Sequence, residues 1–387
     1  MTDTPAPDPL VPTTRSEVLP LVLGAILPGF NGVELPPWLR AALRGGLGGV
    51  VYFRQNIDFA SPGQPGRLSA EIRSLNPDAV IALDEEGGNV TRLQSPTGSA
   101  VPGAQVLGRL DDVALTEAAG RALGRLCRAA GANLTFAPVA DVNTNPANPV
   151  IGVRSFGADT ALVARHTAAA VRGIQSTGVG ACAKHFPGHG DTVTDSHVAL
   201  PRVDLSLAQL ESAHLPPFRA AAEAGVQAMM SAHIVVPELG EAPATLNPAA
   251  GALLRGLGFE GMLVTDALDM AAIRGSVGSG AGAVQALLAG ADLLCVGNPA
   301  NVGYTDPGAG ADEGDFLEVR DAVVAAVEDG SLALEVLRRA ARRRAAFLAW
   351  TRAGPRGRAG AGQEWPPPPG GPPPHPPRGT PPLPPGH

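Results

Sequence analysis

Lysine is almost missing from this chain. Its 29 Lys and Arg side chains include a single lysine, Lys184. Cysteine is nearly as scarce: Cys127, Cys182 and Cys295 are odd in number, far apart and set in apolar stretches. That excludes a disulfide framework or a zinc ribbon and predicts reduced core thiols. Aromatic residues make up only 4%, so Val, Leu, Ile and Ala must fill the interior. No basic field exists: the formal net charge is -7, which argues against nucleic acid or an anionic membrane as partner. The arginine-rich stretch 338–344 reads as the solvent face of a last helix. No apolar run is long enough to span a bilayer. The start, Met-Thr-Asp-Thr-Pro-Ala-Pro, lacks the basic and apolar parts of a secretion signal, so a cytoplasmic location is expected. The short run 18–26 reads as a buried strand.

The chain does have apolar substance, 44% of 387 residues, enough for a sizeable core. Its ends are different in kind. From about Gly354 the sequence is Gly, Pro and Arg, then runs of proline. Such a segment has little apolar surface to bury and is expected to be disordered. Three parts follow: a flexible start over 1–16, one domain over 17–353, and a Pro/Gly-rich tail over 354–387.

Within the domain, short apolar runs alternate with Ala/Leu/Arg-rich helical segments. Strands are expected at 21–27, 49–53, 79–83, 134–139, 180–184, 228–232, 262–265 and 291–296. Helices are expected at 116–130, 161–176, 207–224 and 248–257, among others. Most strand runs are continuously apolar, as parallel strands covered on both faces are. About eight such units point to an α/β fold, a single (β/α)8 TIM-type barrel. A doubly wound sheet is the alternative, but no Gly-rich nucleotide fingerprint follows the first strand.

A barrel of this type carries its chemistry at the carboxyl ends of its strands. The third run ends in Asp84-Glu85-Glu86-Gly87-Gly88, and the fourth leads to Asp141 and Asn143. The fifth ends in Lys184-His185, the sixth in Ser231-Ala232-His233, the seventh in Thr265-Asp266. The opposite loops carry little chemistry.

The richest stretch is Lys184-His185-Phe186-Pro187-Gly188-His189-Gly190-Asp191, continuing to Asp195-Ser196-His197. Its glycines and proline exclude a regular helix and permit a mobile loop. In an extended segment Asp195 and His197 share a face. A carboxylate beside an imidazole orients it and stabilises its protonated form, which suits an acid/base. Metal binding is the rival, since His185, His189, Asp191, Asp195 and His197 are all ligand types. They lie on one loop without a helical His-x-x-x-His pair, so no metal and no cofactor is expected. The lone Lys184 either survives by chance in an Arg-biased sequence or fills a place that needs a compact ammonium.

Asp266 closes a rigid apolar strand, which suits a nucleophile aimed into a barrel mouth; a helix cap is the plain alternative. Asp269, three residues on, reads as a helix-start carboxylate. Asp84 ends another strand beside two glycines. Arg92 and Arg154 are suited to hold sugar hydroxyls, an acetamido oxygen or a carboxylate, although for the arginines alone structural salt bridges are the default reading.

Taken together, the motifs Asp84–Arg92, Asn148–Gly157, Lys184–His197, Pro243-Ala244-Thr245-Leu246 and Val264-Thr265-Asp266 resemble glycoside hydrolase family 3, in particular its bacterial β-N-acetylhexosaminidases. The resemblance covers roughly residues 21–350. It implies a retaining hydrolase with Asp266 as nucleophile and His197, oriented by Asp195, as general acid/base. It implies sugar-binding roles for Asp84, Arg92, Arg154, Lys184 and His185. The form it most resembles is the short, single-domain, intracellular one associated with recycling of cell-wall muropeptides. The expected partner is then a small carbohydrate or muropeptide substrate, with no nucleic acid and no membrane, and the expected state a monomer. A β-glucosidase, a phosphorylase, a metal-dependent hydrolase and a non-catalytic carbohydrate-binding protein are the alternatives.

Overall fold

The computed structural model describes residues 15–193, 200–300 and 311–354. The predicted tail, most of the predicted flexible start, and the Asp195–His197 pair lie outside these residues.

Among the described residues eight parallel strands run in chain order: β1 (Ile26–Pro28), β2 (Gly49–Tyr52), β3 (Val80–Leu83), β4 (Leu134–Thr135), β5 (Gly180–Phe186), β6 (Ala228–Ser231), β7 (Met262–Thr265) and β8 (Leu294–Gly297). Strands β2 to β7 form one sheet in sequential order, and β1 pairs with β8. Val264 of β7 also bridges to Leu293, just ahead of β8. Helices fill the connections, as parallel pairing of consecutive strands requires.

Both faces of this sheet are apolar, and the two sets of residues alternate along each strand. Val51, Val80, Ala82, Leu134, Cys182, Ala228, Met230, Met262, Val264 and Cys295 form one buried cluster. Tyr52, Ile81, Leu83, Ala183, Met229, Leu263 and Val296, of the opposite parity, pack with the helices in another. A single cluster drawing on strands from β1 to β8 requires a sheet curled around it. Phe347 and Leu348, from the last helix Leu334–Arg352, join the same inner cluster. The aromatic shortage is met as composition requires, with Val, Leu, Ile and Ala dominating the core.

The first predicted strand is a correction. Residues Arg15–Gly24 are helical, and the strand starts only at Ile26. Val18 and Val22 are buried while Pro20 between them is exposed. That is a helical spacing, since a strand would place 18, 20 and 22 on one face. A short continuous apolar run does not distinguish the two. The predicted helix 207–224 is also divided: a π turn at Leu210–His214 precedes a new helix at Pro216–Glu223. Pro216 and Pro217 supply no backbone N–H to continue the first segment. The three cysteines are buried and free.

Candidate active site

Several of the polar residues that end the strands converge on one cavity of about 370 Å³. Asp84, Arg92, Arg154, Lys184, His185 and Asp266 all line it. The structure therefore brings together six of the eight residues singled out above; Asp195 and His197 fall outside the described residues.

Lys184 and His185 are neighbours in β5, yet both face the cavity. The ladder between β5 and β6 shifts register between Ala183 and Phe186, which breaks the strict alternation of faces. Lys184 is 2% exposed. Its Nζ donates to Asp84 Oδ1 at 2.7 Å and pairs with Glu86 Oε1 at 2.7 Å. Arg92 Nη2 donates to the other Asp84 oxygen at 2.9 Å. Arg154 makes a fork onto Glu86, with Nε and Nη2 donating at 2.9 and 2.7 Å. Two carboxylates thus sit among three cations.

The charges follow. Burial opposes ionisation of Asp84, but Lys184 and Arg92 outweigh it and hold the carboxyl well below its usual range. Glu86 is likewise brought down to about 2, with Arg154 and Lys184 overcoming burial. Burial also works against the Lys184 ammonium, and Asp84 and Glu86 more than compensate, so its pKa is raised. Glu85, the third acid of the run, turns away from this network. Its Oε2 accepts from the backbone N–H of Arg92 and Leu93 at 3.0 and 3.1 Å, which fixes the turn that aims Arg92 at Asp84.

Asp266 follows β7 directly. Its Oδ1 accepts from Ala267 N at 2.8 Å, and its own N–H donates to Ser231 O at 3.2 Å. Behind it, buried His233 bonds through Nε2 to Ala267 O at 2.8 Å and through Nδ1 to Thr245 Oγ1 at 2.9 Å. This gives the Pro243–Leu246 motif a physical task, because Thr245 supports the ring that steadies the backbone beside Asp266.

Four further residues of the site were named from the sequence only as strand-end acids, a possible metal ligand or a helix-start carboxylate, without a role in the pocket. Glu86 is the acid that Arg154 grips. Asp141 is fully buried and meets His185 Nδ1 at 2.7 Å. His189 lines the cavity with Nδ1 2.8 Å from Thr192 Oγ1, and burial together with His185 lowers its pKa to about 4 against the pull of Asp141. Asp269 is the clearest correction. It does not cap the helix Ala271–Arg274, whose N-cap is Met270. It is 7% exposed, lines the cavity and accepts from Asn298 N at 2.9 Å through Oδ2. A long-range partner of this kind leaves no local signal.

Two glycines of the Lys184–His197 stretch are used for close approach. A Cβ on Gly190 would lie 1.9 Å from Val142 O, and Gly188 has φ +129° with its would-be Cβ 2.8 Å from His214 Cβ. Asn148 joins this loop to the Arg154 loop, donating to His189 O at 2.8 Å and accepting from Val150 and Ile151 N. Among the described residues no group of three or more His, Cys, Asp or Glu is arranged to hold a metal ion. No helix among them is long and apolar enough to cross a membrane.

Residues 41–345 match the model of the glycosyl hydrolase family 3 N-terminal domain. A protein named beta-hexosaminidase from Stenotrophomonas maltophilia is 38% identical over 284 residues, covering 71% of this chain and 83% of that protein. A family 3 β-N-acetylglucosaminidase structure from Paenibacillus sp. superposes with a TM-score of 0.79 at 40% identity, over 87% of this chain. The match spans 62% of that longer chain. A β-N-acetylhexosaminidase structure from Beutenbergia cavernae gives a TM-score of 0.74 at 28% identity, covering 86% of this chain and 98% of that one.

Proposed function

Because the chain belongs to glycoside hydrolase family 3, we propose that it is a retaining exo-β-N-acetylglucosaminidase that releases terminal β-linked N-acetylglucosamine. The observation that carries this reading is the convergence of Asp266 with the Asp84–Lys184–Arg92 and Glu86–Arg154 groups in one cavity. The relatives named above support the choice of sugar.

In this reading Asp266 attacks the anomeric carbon and forms a covalent glycosyl-enzyme. The bond from Ala267 N to Oδ1 fixes the carboxylate at the end of β7, where it lines the cavity. Asp84, Arg92, Arg154, Lys184 and His185 hold the sugar. The cations are already paired with partly buried acids, so their donors are fixed before substrate arrives. His197, oriented by Asp195, protonates the departing oxygen and then deprotonates the attacking water. No cofactor takes part. The scaffold is a complete (β/α)8 barrel, supported by the shared inner cluster and by the Val264–Leu293 bridge beside β8. The natural substrates are fragments of peptidoglycan, met in the cytoplasm by a monomeric enzyme.

The test is hydrolysis of a chromogenic β-N-acetylglucosaminide against the matching β-glucoside, with and without chelator and with added phosphate. Rapid release from the N-acetylglucosaminide, unaffected by chelator and giving free sugar, is expected. A preference for the glucoside, loss of activity in chelator, or formation of sugar 1-phosphate would each overturn part of the reading.

A further inference from the structure

Asp141 has the most fully satisfied carboxylate near the cavity, and the mechanism above leaves it unused. It is 0% exposed and ends the segment that follows β4. Its Oδ1 accepts from His189 N at 2.7 Å and from His185 N at 3.2 Å. Its Oδ2 meets His185 Nδ1 at 2.7 Å and accepts from His185 N at 3.3 Å. One side chain therefore holds both the ring of His185 and the backbone of the turn that leads into the Gly188–Gly190 loop. Burial opposes its charge, but His185 and the His189 N–H bring it down to about 2, so it is ionised. An ionised carboxylate only accepts, which obliges His185 Nδ1 to carry a proton.

The other ring nitrogen faces a donor. Arg154 Nη2 lies 3.5 Å from His185 Nε2. A guanidinium never accepts, so a proton on Nε2 would set two donors against each other. Arg154 is itself held by its fork on Glu86 and has little freedom to turn away.

We propose that Asp141 is a positioning residue for His185, holding the ring in its Nδ1–H tautomer so that Nε2 stays an unprotonated acceptor on the cavity side, where a substrate hydroxyl replaces the long Arg154 contact. Asp141 lies behind the ring and acts through it. The ring of His189, 5.8 Å from that of His185 and edge-on to it, restricts rotation from a second side. The proposal rests on the glycosidase reading for the identity of the ligand, but the state of the ring is a property of the free protein.

Asp141→Asn tests the idea, because an amide cannot accept at both positions. If the amide oxygen stays with the two backbone N–H groups, the NH₂ meets Nδ1 and forces the Nε2–H tautomer. The inhibition constant for N-acetylglucosamine and KM for the chromogenic substrate should then rise about tenfold or more. In a His185→Ala background the same Asp141→Asn change should have less than about a twofold effect, since the ring through which it acts is gone. An undiminished effect in that background would make Asp141 a general structural residue and overturn the proposal. Ring ¹⁵N shifts of the wild-type protein at pH 8 provide a test that needs no variant to fold. They should show a protonated Nδ1 and an unprotonated Nε2 on His185; the opposite assignment overturns the proposal. Wild-type protein inactive on every glycoside would instead sink the functional reading while leaving the ring assignment standing.

Discussion

Asp269 gives a pH dependence whose sign and size follow from its surroundings. Burial, then the nearby Asp315 and Asp266 charges, push its pKa from 3.8 up to about 7, against the lowering effect of the Asn298 N–H. Its Oδ1 is buried without a hydrogen-bond partner, and a Cβ on Gly297 would lie 1.9 Å from that oxygen. The folded protein therefore keeps a proton that the unfolded chain releases above pH 4. Because the folded value is the higher one, this group's contribution to stability is complete below the unfolded pKa and is lost as pH rises toward 7. Each unit of that interval is about 1.4 kcal/mol, so the loss between pH 5 and pH 8 is about 3 kcal/mol. Asp269→Asn keeps an acceptor for Asn298 N and removes the titration. Subtracting wild-type from variant stability at each pH cancels the other groups. The advantage of the variant should grow by about 3 kcal/mol from pH 5 to pH 8, roughly 5 °C in unfolding temperature for a chain of this size. Thermal unfolding of both proteins at the two pH values makes the measurement. An advantage that does not change with pH would refute the reasoning.

Lys184→Arg should raise KM about tenfold or more with little change in fold, because a guanidinium does not fit the two 2.7 Å contacts made by the ammonium; unchanged kinetics would return the lone lysine to chance. Gly190→Ala should lower both unfolding temperature and kcat, since its Cβ would meet Val142 O at 1.9 Å; a scan and a turnover assay together check it, and wild-type values would show that the loop does not pack as described. His197→Ala should slow turnover by about 100- to 10,000-fold on substrates with poor leaving groups and much less on activated ones. Equal losses on both, measured by kcat across a leaving-group series, would count against the acid/base role of His197.

Much of the site was legible because strand-end polarity is a local signal. Asp84, Lys184, His185 and Asp266 each follow a continuously apolar run, and the fold carries those ends to one cavity. Arg92 and Arg154 were readable as candidates but not as to partner. Their acids, Asp84 and Glu86, are fixed by how β3 sits beside the later loops. Asp269 misled because its place beside Asn298 is set by β8, 29 residues further on, while the local pattern suggested a helix start. The helix at Arg15–Gly24 misled for a different reason: a short apolar run satisfies both periods until burial is seen. The loop glycines suggested freedom of movement, whereas the His214 side chain at Gly188 and the Val142 backbone at Gly190 leave no room for a side chain.

The central claim is that Asp266 forms a covalent bond to the sugar. Incubating the enzyme with a 5-fluoro glycosyl fluoride of N-acetylglucosamine, which slows the second step, should leave one sugar attached to the protein. Peptide mapping by mass spectrometry should place that sugar on Asp266, with none attached in Asp266→Ala. A label on any other residue, or active enzyme that accumulates no label and inverts the anomeric configuration of its product, would contradict the account.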